Sequence, residues 1–182
     1  MTDALIESGY TEADISKIIE SSASRLTYQL DSLSVPAQMQ DLLNDATDSV
    51  DVINPRLYRL YGARELKEAP SRVALIDMKG PVSELRARRI MSGMKLKPAG
   101  LAEIIRLHKK HPELIVSGVQ IVGLADQRIR KMQDGFEIIE WPILSTDDDG
   151  LQSYLEMYHH IGDKIFKDLT WRFIAVPDND SL

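Results

Sequence analysis

The chain has 182 residues, of which 43% are hydrophobic and 27% charged, a composition typical of a globular protein with a substantial core. It contains no cysteine, which excludes disulfides, thiolate metal sites and cysteine nucleophiles and fits a reducing compartment. Its apolar runs are far shorter than the roughly 20 residues that cross a bilayer, and its first residues are acidic where a signal peptide is basic. We therefore expect a cytoplasmic protein with no membrane partner.

The net charge of −6 conceals a strong asymmetry along the chain. The segment from Lys79 to Lys131 holds twelve basic residues against four acids, and the remainder holds 10 against 24, so the two parts carry +8 and −14. The first 55 residues alone contain ten acids and two bases. Such an asymmetry bears on association rather than on fold.

Residues 1–62 are predicted to form an acidic helical part. Thr11 and Asp14 resemble a capping box, and apolar residues then recur at three- and four-residue spacing, so we expect a helix from Thr11 to about Leu30. A second helix is expected after Pro36, and the segment RLYRLYG adds one or two helical turns closed by Gly62. The polar stretch between 61 and 70 marks a domain boundary, unless the chain forms one continuous domain.

The character of the sequence changes after Pro70. The run RVALIDM at 72–78 predicts a buried strand, and LIVSGVQIVGL at 114–124 predicts a central one. Between them, Ser83 is placed to cap a helix over 84–91, and Pro98 to open a helix that ends before Pro112.

The last third of the chain carries a hairpin signal. Alternating segments at 136–144 and 151–160 flank the turn-rich STDDDG, and Pro142 indicates that the first of them is an edge or bulged strand. A further strand, TWRFIAV, follows. The predicted fold class is α+β, with the acidic helical part followed by a unit, 70–177, that contains a largely antiparallel sheet of four to five strands in meander-like order.

No motif in the sequence predicts a catalytic site, a metal site or a cofactor. His108 and His111 have HxxH spacing, but His111 directly precedes Pro112, where the helix should already end. His159 and His160 are adjacent, so in a strand they face opposite sides and do not chelate one ion together.

The basic segment at 79–131 is the strongest functional signal. Its candidate binding residues are the cations of the two predicted helices and of the link between them: Arg86, Arg88, Arg89, Lys95, Lys97, Arg106, Lys109 and Lys110. They serve one of three purposes: docking an acidic protein or a second copy of the chain, contacting nucleic-acid phosphates, or only balancing the acidic helices of the same molecule.

Between the two binding purposes, the sequence favours protein association. The chain is acidic overall, with a pI of about 5.2, and it contains no recognised nucleic-acid reader motif. The predicted function is therefore a non-catalytic interaction or regulatory protein, adaptor-like or inhibitor-like. A nucleic-acid-binding accessory protein and an enzyme of unrecognised type are the alternatives.

Overall fold

The computed structural model describes residues 23–30, 38–66, 70–78, 81–116, 118–133, 135–161, 165–166 and 171–178. In these ranges the chain forms four α-helices: α1 (Met39–Ala46), α2 (Pro55–Tyr61), α3 (Glu84–Gly93) and α4 (Leu101–Lys110). The same ranges contain eleven strands: β1 (Ala23–Gln29), β2 (Val52–Ile53), β3 (Arg72–Met78), β4 (Val82–Ser83), β5 (Leu96–Pro98), β6 (Gln120–Val122), β7 (Arg128–Lys131), β8 (Glu137–Thr146), β9 (Ser153–Ile161), β10 (Ile165–Phe166) and β11 (Trp171–Pro177).

Nine of the described strands form one mixed sheet. Its order is β1-β3-β11-β6-β8-β9-β2, with β5 beside β11 and β7 beside β8, while β4 and β10 pair separately. Two neighbouring pairs, β11 with β6 and β2 with β9, are parallel, and the others are antiparallel. The α+β class is thus confirmed, but the predicted sheet of four to five strands in meander order was wrong, because β11 inserts between strands that are distant in sequence.

The centre of the sheet is buried on both faces, as the alternation of β3 shows. Val73 and Leu75 lie in one hydrophobic cluster, and Ala74 and Ile76 lie in another. The first cluster contains the buried residues of α1, α2 and α4 together with Leu30, and the second contains those of α3. We call these the first and second faces of the sheet.

Aromatic residues form a contact network on the second face. The rings of Trp141, Tyr158, Phe166, Trp171 and Phe173 contact one another, with centroid distances from 4.9 to 6.3 Å. Such stacked, tilted and edge-on contacts add to the free energy gained from burial.

The prediction of an N-terminal helix was wrong for the second half of that segment. Residues Ala23–Gln29 form β1, which pairs antiparallel with β3 from Ala23 opposite Met78 to Gln29 opposite Arg72. The segment ASRLTYQ contains Ser, Thr and Tyr, whose helix propensity is low, and hydrogen bonding to a long neighbouring strand outweighs a weak apolar period. The first half of that helix, from Thr11, lies outside the described residues.

Two local expectations were also corrected. The strand predicted over 114–124 is confined to β6, with single turns of 3-10 helix at Pro112–Leu114 and Leu124–Asp126 on either side. Pro98 ends β5 instead of opening a helix, and α4 begins at Leu101.

Pro142 lies in an interior strand rather than at an edge. β8 pairs with β9 along one side, and on the other side with β7 up to Glu140 and with β6 from Ile143. The carbonyl of Pro142 accepts a hydrogen bond from Gly123 N–H at 3.0 Å, so its nitrogen faces the gap between β7 and β6, where no amide donor is required.

Other predictions are confirmed. β8 and β9 pair as a hairpin from Thr146 opposite Ser153 to Ile138 opposite Ile161. The hydroxyl of Ser83 accepts a hydrogen bond from Arg86 N–H and caps α3.

Candidate functional site

A buried carboxylate interrupts the apolar sequence of β8. Ile139 and Trp141 point to the second face, so Glu140, which lies between them in the strand, points to the first. Its side chain is only 2% exposed. A charge at this depth is tolerated only when it is paired and hydrogen-bonded.

Arg56 supplies that pairing from the start of α2. The side chain of Asn54 accepts a hydrogen bond from Arg56 N–H at 2.9 Å and Pro55 occupies the first helical position, which together fix where the helix begins. The Arg56 guanidinium then donates from Nη1 and Nη2 to the two oxygens of Glu140, at 2.8 and 2.7 Å. This two-pronged arrangement is the strongest form of a charged hydrogen bond.

Strand β7 brings two more arginines to the same carboxylate. Arg128 lies directly opposite Glu140 in the strand register, and Arg130 Nη2 lies 3.7 Å from Glu140 Oε1. The Arg128 guanidinium also lies over the ring of Tyr61, 6.0 Å from its centroid, in the geometry of a cation–π contact.

Asp126 is a second buried carboxylate beside this group. Its Oδ2 accepts a hydrogen bond of 2.6 Å from the N–H of Leu101, the first residue of α4, and its Oδ1 pairs with Arg64. Gly100 at the N-cap has no side chain with which to cap the helix, so Asp126 does so from a distant part of the chain. A Cβ on Gly100 would overlap the carboxylate.

Tyr61 is hydrogen-bonded to the backbone of Asp126. Its hydroxyl donates a hydrogen bond of 2.8 Å to the backbone carbonyl of Asp126. Burial, and after it the charge of Asp126, raises the pKa of Tyr61 to about 12, against the opposing effects of Arg128 and Arg64. The phenol therefore remains a proton donor at neutral pH.

We call Arg56, Arg64, Arg128 and Arg130, with Tyr61, Glu140 and Asp126, the arginine cluster. Its four guanidiniums exceed its two carboxylates by two charges, and Arg64 and Arg130 are about half exposed, at 50% and 48%. Because the pKa of Tyr61 is shifted away from neutrality, the phenol is poorly matched to acid–base catalysis at pH 7. The cluster is better suited to holding an anionic group at its surface.

Strand β7 extends this cationic surface to the edge of the sheet. All four of its residues are exposed, and among the described residues it pairs only with β8. Exposed apolar residues accompany the cations, with Ile129 59% and Phe136 63% exposed. Apolar side chains that remain exposed beside arginines are typical of protein interfaces.

The residues predicted from the basic segment have different environments. Arg86, Arg89, Lys95 and Lys97 are exposed. Arg88 is held internally, because it donates to Glu84 at 2.8 Å and to the Leu124 carbonyl at 2.6 Å.

The predicted residues of α4 are also engaged with neighbours. Arg106 is largely buried 3.5 Å from Glu103, and burial lowers its pKa. Lys109 lies 3.7 Å from Asp45, and Lys110 is partly buried. Since α3 packs on the second face of the sheet and α4 on the first, the structure does not bring the eight cations into one surface.

Sequence reasoning missed most of the arginine cluster. Arg128 and Arg130 belonged to the basic segment but were not singled out, and Arg56, Arg64 and Glu140 were not considered. One usable signal was present, since a single Glu inside the apolar run IIEWPIL predicts either a strand break or a buried ion pair.

The histidines and acids of the described chain form no group of three or more that suits a metal ion. His108 and His111 have separate partners, Ser49 carbonyl at 2.8 Å and Glu113 at 3.0 Å. No helix in the described ranges is long and apolar enough to span a bilayer. Comparisons with protein-family models, curated proteins and solved structures found no match to this chain.

Proposed function

We propose that this chain is a non-catalytic interaction protein of the cytosol, adaptor-like or inhibitor-like, that binds an acidic protein partner. The observation that carries the proposal is β7: an exposed strand with three cations, Arg128, Arg130 and Lys131, beside exposed apolar residues. Cationic charge accelerates the encounter with an acidic partner and orients it, while apolar contacts supply affinity.

The binding surface consists of β7 and the arginine cluster behind it. Arg56 and Arg64 neutralise the buried carboxylates, so the charges of the β7 cations remain largely available to a partner. Among the ion pairs of the described residues, two involve β7 cations. Arg130 lies 3.7 Å from Glu140, and Lys131 lies 3.8 Å from Glu137.

A nucleic-acid partner is the second candidate. β7 is an exposed edge strand with cations along it, and some proteins place such strands in a DNA groove. Against it stands the net charge of −6, which repels a phosphate backbone unless the acidic surfaces are turned away.

Two variants with equal charge changes test the proposal. The first replaces Arg128, Arg130 and Lys131 by Gln, and the control replaces Arg86, Lys95 and Lys97, which are exposed elsewhere. Tagged proteins are used to recover partners from native lysate, with and without nuclease treatment. We expect wild type and control to recover the same acidic protein and the β7 variant to lose it.

Two results would count against this assignment. If the β7 variant recovers the partner as well as wild type does and the control variant loses it, the binding surface lies at α3 and β5. Recovery that disappears on nuclease treatment would favour the nucleic-acid candidate.

A further inference from the structure

One side of β7 has no partner strand among the described residues. Met132 N–H donates to the Phe136 carbonyl at 2.8 Å, where the hairpin closes. In an antiparallel pair the backbone groups of successive residues point alternately to the neighbour and away from it. Met132 points to the β8 side, so by this alternation the N–H and C=O groups of Arg130 and Arg128 also point to β8. The N–H and C=O groups of Ile129 and Lys131 point to the open side.

The side chains of β7 divide between the two faces in the complementary way. Arg128 and Arg130 lie opposite Glu140 and Ile138, on one face. Ile129 lies opposite Ile139, on the other face. A strand that paired with the open side of β7 would therefore meet Arg128 and Arg130 on one face, and exposed Ile129 followed by Lys131 on the other.

We propose that the acidic partner binds by adding an extended segment to the open edge of β7, with acidic residues facing Arg128 and Arg130 and an apolar residue facing Ile129. This rests on the proposed function, since it specifies how that partner is held. Opposite-charge and apolar cross-strand pairs each contribute to sheet stability, so an alternating acidic and apolar segment satisfies both faces together.

Charge complementarity distinguishes this occupant from the others. A second copy of β7 would place like charges opposite one another, which is destabilising. A phosphate backbone offers no N–H groups in the strand repeat and so cannot pair with the backbone carbonyls of Ile129 and Lys131.

The test uses a fluorescein-labelled peptide, EVEVEVEVE, whose binding is followed by fluorescence anisotropy. Control peptides are EEEEEVVVV, with the same composition, and KVKVKVKVK. We expect the full-length protein to bind the alternating acidic peptide at least about tenfold more tightly than either control. On binding, hydrogen exchange should slow at the amides of Ile129 and Lys131 and not at Arg130, which is already bonded to β8.

Two substitutions at one position separate backbone pairing from side-chain contact. Ile129→Pro removes an N–H that points to the open side, and proline is tolerated at such edge positions. Ile129→Ala removes only the apolar contact. We expect Ile129→Pro to weaken binding about tenfold or more and Ile129→Ala to weaken it less. Arg128→Gln with Arg130→Gln, which does not depend on folding of the proline variant, should abolish the preference over EEEEEVVVV.

The outcomes distinguish this inference from the function it rests on. Equal binding by Ile129→Pro and Ile129→Ala, absence of slowed exchange at Ile129, or no preference for alternation would overturn strand addition. If the Gln variants still lower peptide binding and partner recovery, the acidic-partner proposal stands. A concentration-dependent dimer that Ile129→Pro abolishes would instead identify a second copy as the occupant and overturn the inference.

Discussion

Arg56 donates two hydrogen bonds, of 2.8 and 2.7 Å, to Glu140, which lies 84 residues later in the chain. The pair joins the start of α2 to an interior strand and fixes how that helix lies on the sheet. Arg56 is partly exposed whereas Glu140 is only 2% exposed, so the two partners are not equivalent. Loss of the arginine leaves a buried charge, and loss of the carboxylate leaves a cation that can turn to water.

The first prediction follows from that asymmetry. We expect Arg56→Met to lower the free energy of unfolding by about 2–3 kcal/mol, somewhat below the values for fully buried pairs because Arg56 is partly exposed. Glu140→Gln should lower the free energy of unfolding by less than Arg56→Met does. The double variant should lower it by less than the sum of the two single losses. Urea unfolding of the three variants measures the coupling.

Arg130→Gln is the matched control for this cycle, because Arg130 is half exposed and lies 3.7 Å from the same carboxylate. It should cost no more than about 1 kcal/mol. Equal losses for Arg56→Met and Arg130→Gln would contradict the assignment of Arg56 as the principal partner.

A second prediction concerns the pH dependence of stability through Tyr61. At pH 7, Tyr61→Phe removes the hydrogen bond to the Asp126 carbonyl and should cost about 1 kcal/mol. The pKa of Tyr61 is raised from 10.0 to about 12 in the folded protein. Between these values the unfolded chain loses the Tyr61 proton while the folded chain retains it, so the contribution of this group is complete below pH 10 and declines as pH rises to 12.

The difference in unfolding free energy between wild type and Tyr61→Phe should therefore shrink as pH rises above 10. Unfolding free energies measured at intervals from pH 8 to 11 test this. A difference that stays constant over that range would show that Tyr61 ionises equally in both states.

A third prediction addresses the contact between Gly100 and Asp126. Because a Cβ at position 100 would overlap the carboxylate, Gly100→Ala should displace Asp126 from Leu101 N–H and from Arg64. We expect the free energy of unfolding to fall by about 2 kcal/mol or more, as when other buried hydrogen bonds to a charged group are removed.

In the Asp126→Ala background the same Gly100→Ala change should cost much less, because the obstructing carboxylate is gone. Thermal or urea unfolding of the four proteins forms the cycle. Additive losses would mean that the backbone at Gly100, rather than its contact with Asp126, requires glycine.

Local signals predicted much of the fold. The Ser83 cap of α3, the helix expected after Pro36, which is α1, and the hairpin of β8 and β9 depend on residues near one another in sequence, and each is confirmed. The order of strands was not predictable in this way, because the insertion of β11 between β3 and β6 depends on which long strands complete the sheet.

The candidate site was harder to predict for the same reason. Arg56, Glu140 and Arg130 come from α2, β8 and β7, and only tertiary packing brings them together. Charge counting located the basic segment but did not separate cations held internally, such as Arg88, from those at the surface, such as Arg130. Burial of a single Glu among apolar residues was the nearest local indication.

The end of α3 gives the last prediction. Gly93 is the last residue of the helix, but the left-handed conformation that usually terminates a helix falls two residues later, on Lys95, with φ of 57°. A side chain with a Cβ is strained there by about 1–2 kcal/mol, whereas glycine is not. Glycine also makes the unfolded chain more flexible, which offsets about 0.5–1 kcal/mol of that gain. We therefore expect Lys95→Gly to raise the free energy of unfolding by about 0.5 kcal/mol.

Lys97→Gly is the control, since Lys97 is exposed, lies in β5 and loses the same charge. Its backbone is extended, so glycine relieves no strain there and should lower stability by about 0.5–1 kcal/mol. Chemical denaturation of both variants beside wild type should thus give changes of opposite sign. Because the two substitutions remove equal charge two residues apart, a difference in sign between them cannot come from charge. Equal destabilisation by both would show that no strain is stored at Lys95.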